Sequence, residues 1–304
     1  EINTQIRKNP YKAFVTIMEG CNRFCSFCVV PYTRGPERSR PTQHILSEIR
    51  SLVNEGFQEV TLLGQTVNSW TDSQGQVNCF TDLLKRIAEV KGIRRIRFIS
   101  PHPNDFHPDI VDVIESFPVV CNHIHLPVQS GSSRVLCRMK RDYTRELYLQ
   151  KVEFLRKSKR EIALSTDIIV GFPGETQDDF EETLSLVELV NYDSMFAFKY
   201  SPRPGTEAFS FSEVISEEEK SRRLQVLQQF QRKIQLQRNS KMVGKRYEVL
   251  VDGSSQRGIK TLTGRTTQNK IVNFPGSQEL LGKLVEVQVT NFFPNSLQGE
   301  LVEC

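Results

Sequence analysis

Cys21, Cys25 and Cys28 stand in one short loop at spacing C-x3-C-x2-C, directly after the apolar run Phe14-Val15-Thr16-Ile17-Met18. Cysteine thiolates are the ligands of iron–sulfur clusters. Three of them in so tight a loop can hold three irons of a [4Fe–4S] cluster and leave the fourth iron open. Phe24 and Phe27 are interleaved with the thiols and are expected to keep water off such a cluster, which helps set its potential. Two other readings stay open on spacing alone. A closed zinc site wants four ligands, and the nearest candidates, His44 and Cys79, are each unpaired in sequence. A disulfide with a spare thiol is the other reading, although three cysteines this close suit a metal better.

The rest of the chain must build something that holds this loop. It has 304 residues, of which 38% are hydrophobic, enough for a large core and two domains. A net charge of +4 permits a nucleic-acid partner without demanding one. No apolar run reaches the length of a membrane span, and the start shows no signal-peptide pattern. Seven cysteines, an odd number with three clustered, argue against a disulfide scaffold and for a reducing, cytoplasmic setting. Cys79, Cys121, Cys137 and Cys304 read as ordinary thiols. The opening Glu1-Ile2-Asn3 has no initiator Met, and a fragment of a longer protein is expected.

Strand-like and helix-like segments alternate. Thr42 is expected to cap a helix whose apolar positions are Ile45, Leu46, Ile49, Leu52 and Val53, with Gly56 ending it. Glu59–Leu63 follows as a buried strand. Phe80–Val90 is expected as helix, 94–100 as strand, Asp109–Phe117 as helix, and 123–126 as strand. Arg145–Lys157 is a helix, Ala163–Val170 a strand, and Thr176 with Asp179 a capping box opening the next helix. Residues 195–200 complete six strands. This alternation argues for a parallel sheet with helices outside. In barrels of this class chemistry sits at the C-terminal ends of the strands. The thiol loop, Gly64-Gln65, Gln129-Ser130, Gly171–Glu175 and Ser201-Pro202-Arg203 all fall there.

The C-x3-C-x2-C loop after a first strand resembles the signature of the radical S-adenosylmethionine (SAM) enzymes. The wording Cys28-Val29-Val30-Pro31-Tyr32-Thr33-Arg34-Gly35, continuing to Ser39-Arg40-Pro41, is most similar to their methylthiotransferase branch, in particular the MiaB-type enzymes that act on tRNA. The resemblance runs over nearly the whole chain. It implies an open (β/α)6 partial barrel, a [4Fe–4S] cluster on Cys21, Cys25 and Cys28, and SAM chelating the open iron. It implies a second [4Fe–4S] cluster in a further N-terminal domain that these residues do not include, so that this chain alone would cleave SAM without inserting sulfur. The implied reaction places a methylthio group at C2 of N6-isopentenyladenosine next to the anticodon. The implied partners are tRNA and a one-electron donor such as flavodoxin or ferredoxin, with no membrane.

The resemblance also proposes roles. Gly64 and Gln65 stand where these enzymes often carry a Gly-Gly-Glu-like stretch that receives the SAM amino group. Here the wording is Leu-Gly-Gln, and a plain turn is the competing reading. Thr166–Gly171 with Glu175 resembles the region that cradles adenine. Asp167 is either an acceptor for ribose hydroxyls or a fold-supporting carboxylate. Gln129 and Ser130 are candidates to hydrogen-bond SAM or the substrate base. His123 and His125 share a strand face and read as core or supporting residues. Arg138, Lys140 and Arg141 form a basic cluster, read either as a solvated face or as a site for phosphate or the SAM carboxylate. Arg203, in a rigid Ser-Pro-Arg-Pro-Gly-Thr turn, is a candidate substrate contact, suited to a carboxylate, a phosphate or a stacked base.

From Ser216 the pattern changes. Ser216-Glu217-Glu218-Glu219 reads as a capping box, and Leu224, Leu227, Phe230 and Ile234 trace the apolar stripe of a long connecting helix. Five short strands follow, at 247–251, 262–266, 270–274, 283–290 and 297–302, expected to form a small OB-like barrel. The segment resembles the TRAM domain of RNA-modifying enzymes. Lys241, Lys245, Arg246, Arg257, Lys260, Arg265 and Lys270 supply charge suited to a phosphate backbone. The expected organisation is a linker over 1–10, a radical SAM core with its connecting helix over 11–239, and the RNA-binding domain over 240–304. Rival functions are a methylthiotransferase of threonylcarbamoyladenosine in tRNA or of a ribosomal protein, and a non-enzymatic zinc/RNA-binding protein.

Overall fold

The computed structural model describes residues 9–72, 74, 75, 77, 79–254 and 261–302; Arg257, Lys260, Cys304 and most of the expected linker lie outside them. The elements run β1 (Lys12–Thr16), β2 (Met18–Glu19), α1 (Val30–Arg34), β3 (Arg38–Ser39), α2 (Thr42–Asn54) and β4 (Glu59–Leu63). Then come α3 (Phe80–Ala88), β5 (Arg95–Phe98), α4 (Asp109–Ser116), β6 (His123–His125), α5 (Ser133–Arg138) and α6 (Arg145–Arg156). The first unit ends with β7 (Ala163–Val170), α7 (Gln177–Val190), β8 (Ser194–Lys199) and the long α8 (Glu217–Ser240). The second holds β9 (Arg246–Ser254), β10 (Thr261–Thr266), β11 (Ile271–Pro275), β12 (Leu284–Phe292) and β13 (Leu297–Leu301).

Strands β1, β4 and β5 pair in parallel, as do β6, β7 and β8. A parallel bridge from Ile96 to Val120, just before β6, joins the two halves. The result is a six-stranded parallel half-barrel whose edge strands are β1 and β8. Alternation along each strand sorts its side chains. Ala13, Val15, Val60, Leu62, Ile96, Phe98, Ile124, Leu164 and Ile168 pack against the helices in one main core. The intervening residues, among them Phe14, Arg97, His125, Asp167 and Phe196, face the hollow.

The second unit is a closed five-stranded barrel of order β10-β11-β13-β12-β9, with β11 and β13 parallel. That is OB topology, as expected. It docks at the N-terminal ends of the half-barrel strands. Arg97 is ion-paired with Glu59 at 3.0 Å inside the hollow and donates to the carbonyls of Thr266 (2.7 Å) and Thr267 (3.1 Å). Arg95 donates to the carbonyls of Arg265 and Glu248, and Lys12 pairs with Asp252. The small barrel therefore closes the floor of the hollow, at the end opposite the thiol loop.

Several local expectations shift. Thr42 is the first helical residue rather than the cap, and its hydroxyl donates to Asp72 at 2.7 Å. The Thr176–Asp179 box is complete. At Ser216 only half the box forms: the hydroxyl receives the Glu219 amide at 3.2 Å, while the Glu219 carboxylate turns to Arg222 and Arg223. A two-stranded pairing of β2 with β3 and the short helices α1 and α5 escape the sequence pattern because each is shorter than two helical turns or three strand residues.

Two buried carboxylates make stability acid-sensitive. Burial alone would raise the pKa of Asp179, but bonds from Arg134, Ser132 and Thr176 outweigh it and hold the carboxyl well below its ordinary range. At Asp193 burial likewise raises the pKa, but Lys270 and Arg238 outweigh it and hold the carboxyl below its ordinary range. A carboxyl depressed in the folded state stabilises fully above its unfolded pKa of about 3.9 and loses that contribution as pH falls through the folded value. Urea unfolding at stepped pH should show stability falling below about pH 4, with a shallower fall in Asp193→Asn than in wild type. Equal slopes would remove Asp193 from the account.

Candidate functional site

The thiol loop is pinned from both sides. Gly20 has φ +74°, and a Cβ there would meet the Pro36 carbonyl oxygen at 2.1 Å; only glycine lets the chain pass so close. The Cys21 amide donates to the Gly35 carbonyl at 3.1 Å, and the Ser26 amide to that of Met139 at 3.0 Å. The Ser26 hydroxyl donates to the Arg138 carbonyl at 2.8 Å. Cys21 and Cys25 are buried and Cys28 half-buried. The six described cysteines are free thiols, which removes the disulfide alternative. Cys21 Sγ receives the Arg23 amide at 3.3 Å and Cys25 Sγ the Arg141 guanidinium at 3.5 Å. Burial pushes the Cys21 and Cys28 thiols up from the ordinary range. Burial would lower the Arg141 pKa, yet its contacts with Tyr143 and Cys25 prevail and fix it as a cation.

The flanking aromatics divide. Phe27 meets Phe172 edge-on at 6.4 Å and joins a satellite core with Tyr200 and Met139, as a shield should. Phe24 is 57% exposed, touching Tyr32 at 5.8 Å, so it does not screen the loop within this chain. Among the described residues no three His, Cys, Asp or Glu side chains gather as they would around a single metal ion. That leaves the zinc alternative without a ready site. A cluster, which brings irons and sulfides of its own, spans thiols set wider apart.

The expected loops do converge at one end of the half-barrel, but their side chains do not all face the same way. Gly64 lies under Met18, where a Cβ would come within 2.4 Å of Met18 Cγ, and Gln65 is half-buried beside it. Gln129 has φ +72° and extends the sheet through its backbone, bonding the Asp167 carbonyl and the Ile169 amide at 2.9 Å each. Ser130 is buried against Thr183 of α7 at 3.5 Å, so its hydroxyl serves the helix layer rather than the mouth. Glu175 behaves alike: it receives the Gly171 amide at 3.1 Å and pairs with buried Arg223 at 2.6 Å. Burial raises its pKa although Arg223 and Gly171 oppose the rise. Glu175 thus shapes the Gly171 turn, where φ is +71° and a Cβ would strike Lys220. Arg203 is exposed, its carbonyl capped by Thr206.

Of the basic cluster, Arg138 pairs with Glu213 and Lys140 with Glu207, while Arg141 turns inward to the thiol loop. Sequence reading missed that role, since nothing in a cluster of three basic residues marks which one turns inward. It also missed a polar chain in the hollow. Asp167 lies 3.3 Å from His125 Nε2, whose Nδ1 is 2.9 Å from Ser165 Oγ, itself 3.0 Å from His123 Nε2. Burial first, then nearby Arg97, lowers His123 to about 3, so it is neutral. The period-two pairs His123/His125 and Ser165/Asp167 on neighbouring strands were the available signal. In the small barrel Lys241, Lys245 and Arg246 are exposed. Lys270 instead bonds Asn239 and the Asp193 carboxylate at 2.9 and 3.2 Å, which withdraws it from any phosphate. A cavity of about 560 Å³ lies between the half-barrel and the small barrel, lined by His123, His125, Ser165, Phe196, Arg265 and Lys270 among others. No described helix is long and apolar enough to cross a membrane.

With this geometry in hand, comparison with known proteins is direct. The model of the radical SAM superfamily matches residues 15–187, and that of the TRAM domain residues 240–302. The chain is 50% identical over 298 residues to a protein of Solibacter usitatus named tRNA-2-methylthio-N(6)-dimethylallyladenosine synthase, covering 97% of this chain and 67% of that one. A Geobacter sulfurreducens protein of the same name is 50% identical over 290 residues, covering 95% and 65%. A Haemophilus influenzae protein so named is 48% identical over 292 residues, and this chain spans 62% of its length. Among solved structures, a radical SAM methyltransferase from Kitasatospora setae aligns with TM-score 0.55 at 18% identity, covering 65% of this chain and 38% of that one. Coproporphyrinogen III oxidase from Escherichia coli aligns with TM-score 0.53 at 17% identity, covering 74% and 53%. At such identities these structures speak for the fold.

Proposed function

This chain belongs to the radical SAM superfamily and, within it, to the tRNA-2-methylthio-N(6)-dimethylallyladenosine synthase family, and from that membership we propose that it is the SAM-cleaving and tRNA-binding part of a tRNA methylthiotransferase. The reaction is the addition of a methylthio group at C2 of N6-dimethylallyladenosine beside the anticodon. The relatives are longer than this chain, so the complete transfer is assigned to the whole protein. The second cluster, expected as the sulfur source, is assigned to a domain beyond these residues.

The observation that carries the reading is the thiol loop at the C-terminal mouth of a six-stranded parallel half-barrel. The donor set fits a cluster: three free thiols, two of them buried, with hydrogen bonds already aimed at two of the sulfurs. Adenine C2–H is not acidic and has no leaving group, so acid–base chemistry offers no route. When bound, a [4Fe–4S] cluster and SAM supply one-electron reductive cleavage of SAM, which does. The chain's own residues do the placing. Cys21, Cys25 and Cys28 would hold three irons, and Arg141 would stabilise added negative charge at Cys25. Gly64, Gln65, Gln129 and Gly171 offer backbone at the mouth for SAM, with Glu175 and Ser130 holding those turns in shape. Asp167 offers a carboxylate acceptor, and Arg203 an exposed cation at the rim. Exposed Lys241, Lys245 and Arg246 suit a phosphate backbone, and a loop base can be splayed into the mouth. Flavodoxin or ferredoxin is proposed as electron donor and the cytoplasm as location.

Anaerobic reconstitution with iron and sulfide tests this. The expected result is a reduced-state EPR signal that shifts on adding SAM, with 5′-deoxyadenosine released under reductant. A protein whose cluster ignores SAM would refute the proposal. Nucleoside mass analysis after reaction with the whole protein separates dimethylallyladenosine from threonylcarbamoyladenosine as target.

A further inference from the structure

Large apolar side chains on the inner face of a sheet normally lie under something. Phe14, Phe196 and Phe198 are 64%, 57% and 53% exposed, while their strand neighbours Ala13, Val15, Met195 and Ala197 pack into the helix-side core. By alternation the three rings face the hollow. Since β1 and β8 are the edge strands, Phe14 stands on one rim and Phe196 with Phe198 on the other. Beside them runs the polar chain. Asp167 is in register with Phe196, and the Phe196 ring meets His125 edge-on at 6.0 Å. His125 and Phe196 also line the 560 Å³ cavity, a volume that admits a nucleoside. Aromatic walls around a few fixed polar groups are the usual make-up of a small-molecule pocket.

Two adenine-bearing molecules meet in this reaction. SAM belongs at the thiol loop, beyond the C-terminal strand ends. Phe196 and His125 lie deeper, toward the small barrel, and SAM's adenine has no apolar branch to cover a phenyl face. N6-dimethylallyladenine, with its five-carbon branch, does: it is flat, polar along one edge and apolar at N6. We infer that Phe196, with Phe198 on the same strand face, is the apolar wall that seats the N6-dimethylallyl group of the target adenosine, and that the Asp167–His125 pair meets the polar edge of that base. This rests on the tRNA reading above and adds the residues that make the enzyme demand a dimethylallylated substrate.

The test uses two synthetic anticodon stem–loops of one sequence, with adenosine or N6-dimethylallyladenosine at the target position, titrated against the 304-residue chain by fluorescence anisotropy. An apolar pocket discriminates by roughly tenfold or more per methylene it covers, so wild type should prefer the dimethylallylated RNA at least about tenfold. Phe196→Ala should cut that preference to less than about threefold and Phe196→Leu should keep most of it. Leu189→Ala, on the outer face of α7, should leave it unchanged. Should Phe196→Ala fail to fold by circular dichroism, Phe198→Ala, at an exposed ring on the same strand face, carries the same expectation. Equal binding of both RNAs by wild type, or a preference that survives every variant, overturns the inference. Failure to bind either RNA overturns the functional reading itself, a separate result.

Discussion

Cys25→Ala will lower the iron bound after anaerobic reconstitution from about four per chain to one or fewer, because a cluster held at only two corners exchanges its irons with solvent. Reductive SAM cleavage will drop to background with it. The structure makes Cys25 the most telling of the three. It is buried, its sulfur alone receives the half-buried Arg141 guanidinium, and its carbonyl accepts the Cys28 amide at 3.0 Å. Its backbone therefore stays in place when the side chain is shortened, so iron loss reports the missing ligand rather than a collapsed loop. Cys137→Ala, at an exposed thiol, should bind iron as wild type does. Full iron loading with SAM cleavage in Cys25→Ala would show that this loop is not the cluster site.

Arg97→Ala will destabilise the chain by about 3–5 kcal/mol, the usual cost of leaving one partner of a buried pair uncompensated. Arg97 and Glu59 have only 7% and 4% of their side chains exposed, so solvent offers little screening. Two carbonyls of the small barrel, at Thr266 and Thr267, lose their donor at the same time. Denaturant unfolding should show a lowered midpoint, and limited proteolysis should find the floor of the hollow loosened. Adding Glu59→Gln to Arg97→Ala should recover part of the loss, since it removes the stranded charge. A double variant as unstable as the sum of the singles would mean that the two side chains do not act as a pair.

Much of this fold is legible in the chain because its signals are local. Ala163–Val170 is found to the residue, because Ala163-Leu164 and Ile168-Ile169-Val170 bracket a β-branched Thr166 directly before the Gly-Phe-Pro-Gly turn. Thr176 and Asp179 announce their helix through a bond that spans only three positions. The five strands of the small barrel and its OB-like closure follow from Gly and Asn turns between alternating runs. The long helix α8 is found as well, but its buried stripe also contains Lys220, Arg223 and Gln231. A stripe read from apolar residues alone passes over these: Arg223 and Gln231 are satisfied by Glu175 and the Tyr192 carbonyl, far away in sequence, and Lys220 by Glu217 one turn away.

The candidate site divides along the same line. Three thiols at C-x3-C-x2-C, and the loops that follow parallel strands, are fixed by neighbours in sequence. Backbone periodicity then carries those loops to one end of the half-barrel. Which side of each strand or turn a polar residue faces is another matter. Ser130 and Glu175 turn to the helices because Thr183 and Arg223 await them there. Arg141 turns to Cys25, and Lys270 to Asp193, across 116 and 77 residues of chain. A buried polar group must find a partner or lose several kcal/mol, and that partner comes from whatever the tertiary fold brings near. The sequence by itself determined the ligands and the mouth they stand at. Only the packed structure decided which cation faces the thiols, which rings are left bare in the hollow, and which domain forms its floor.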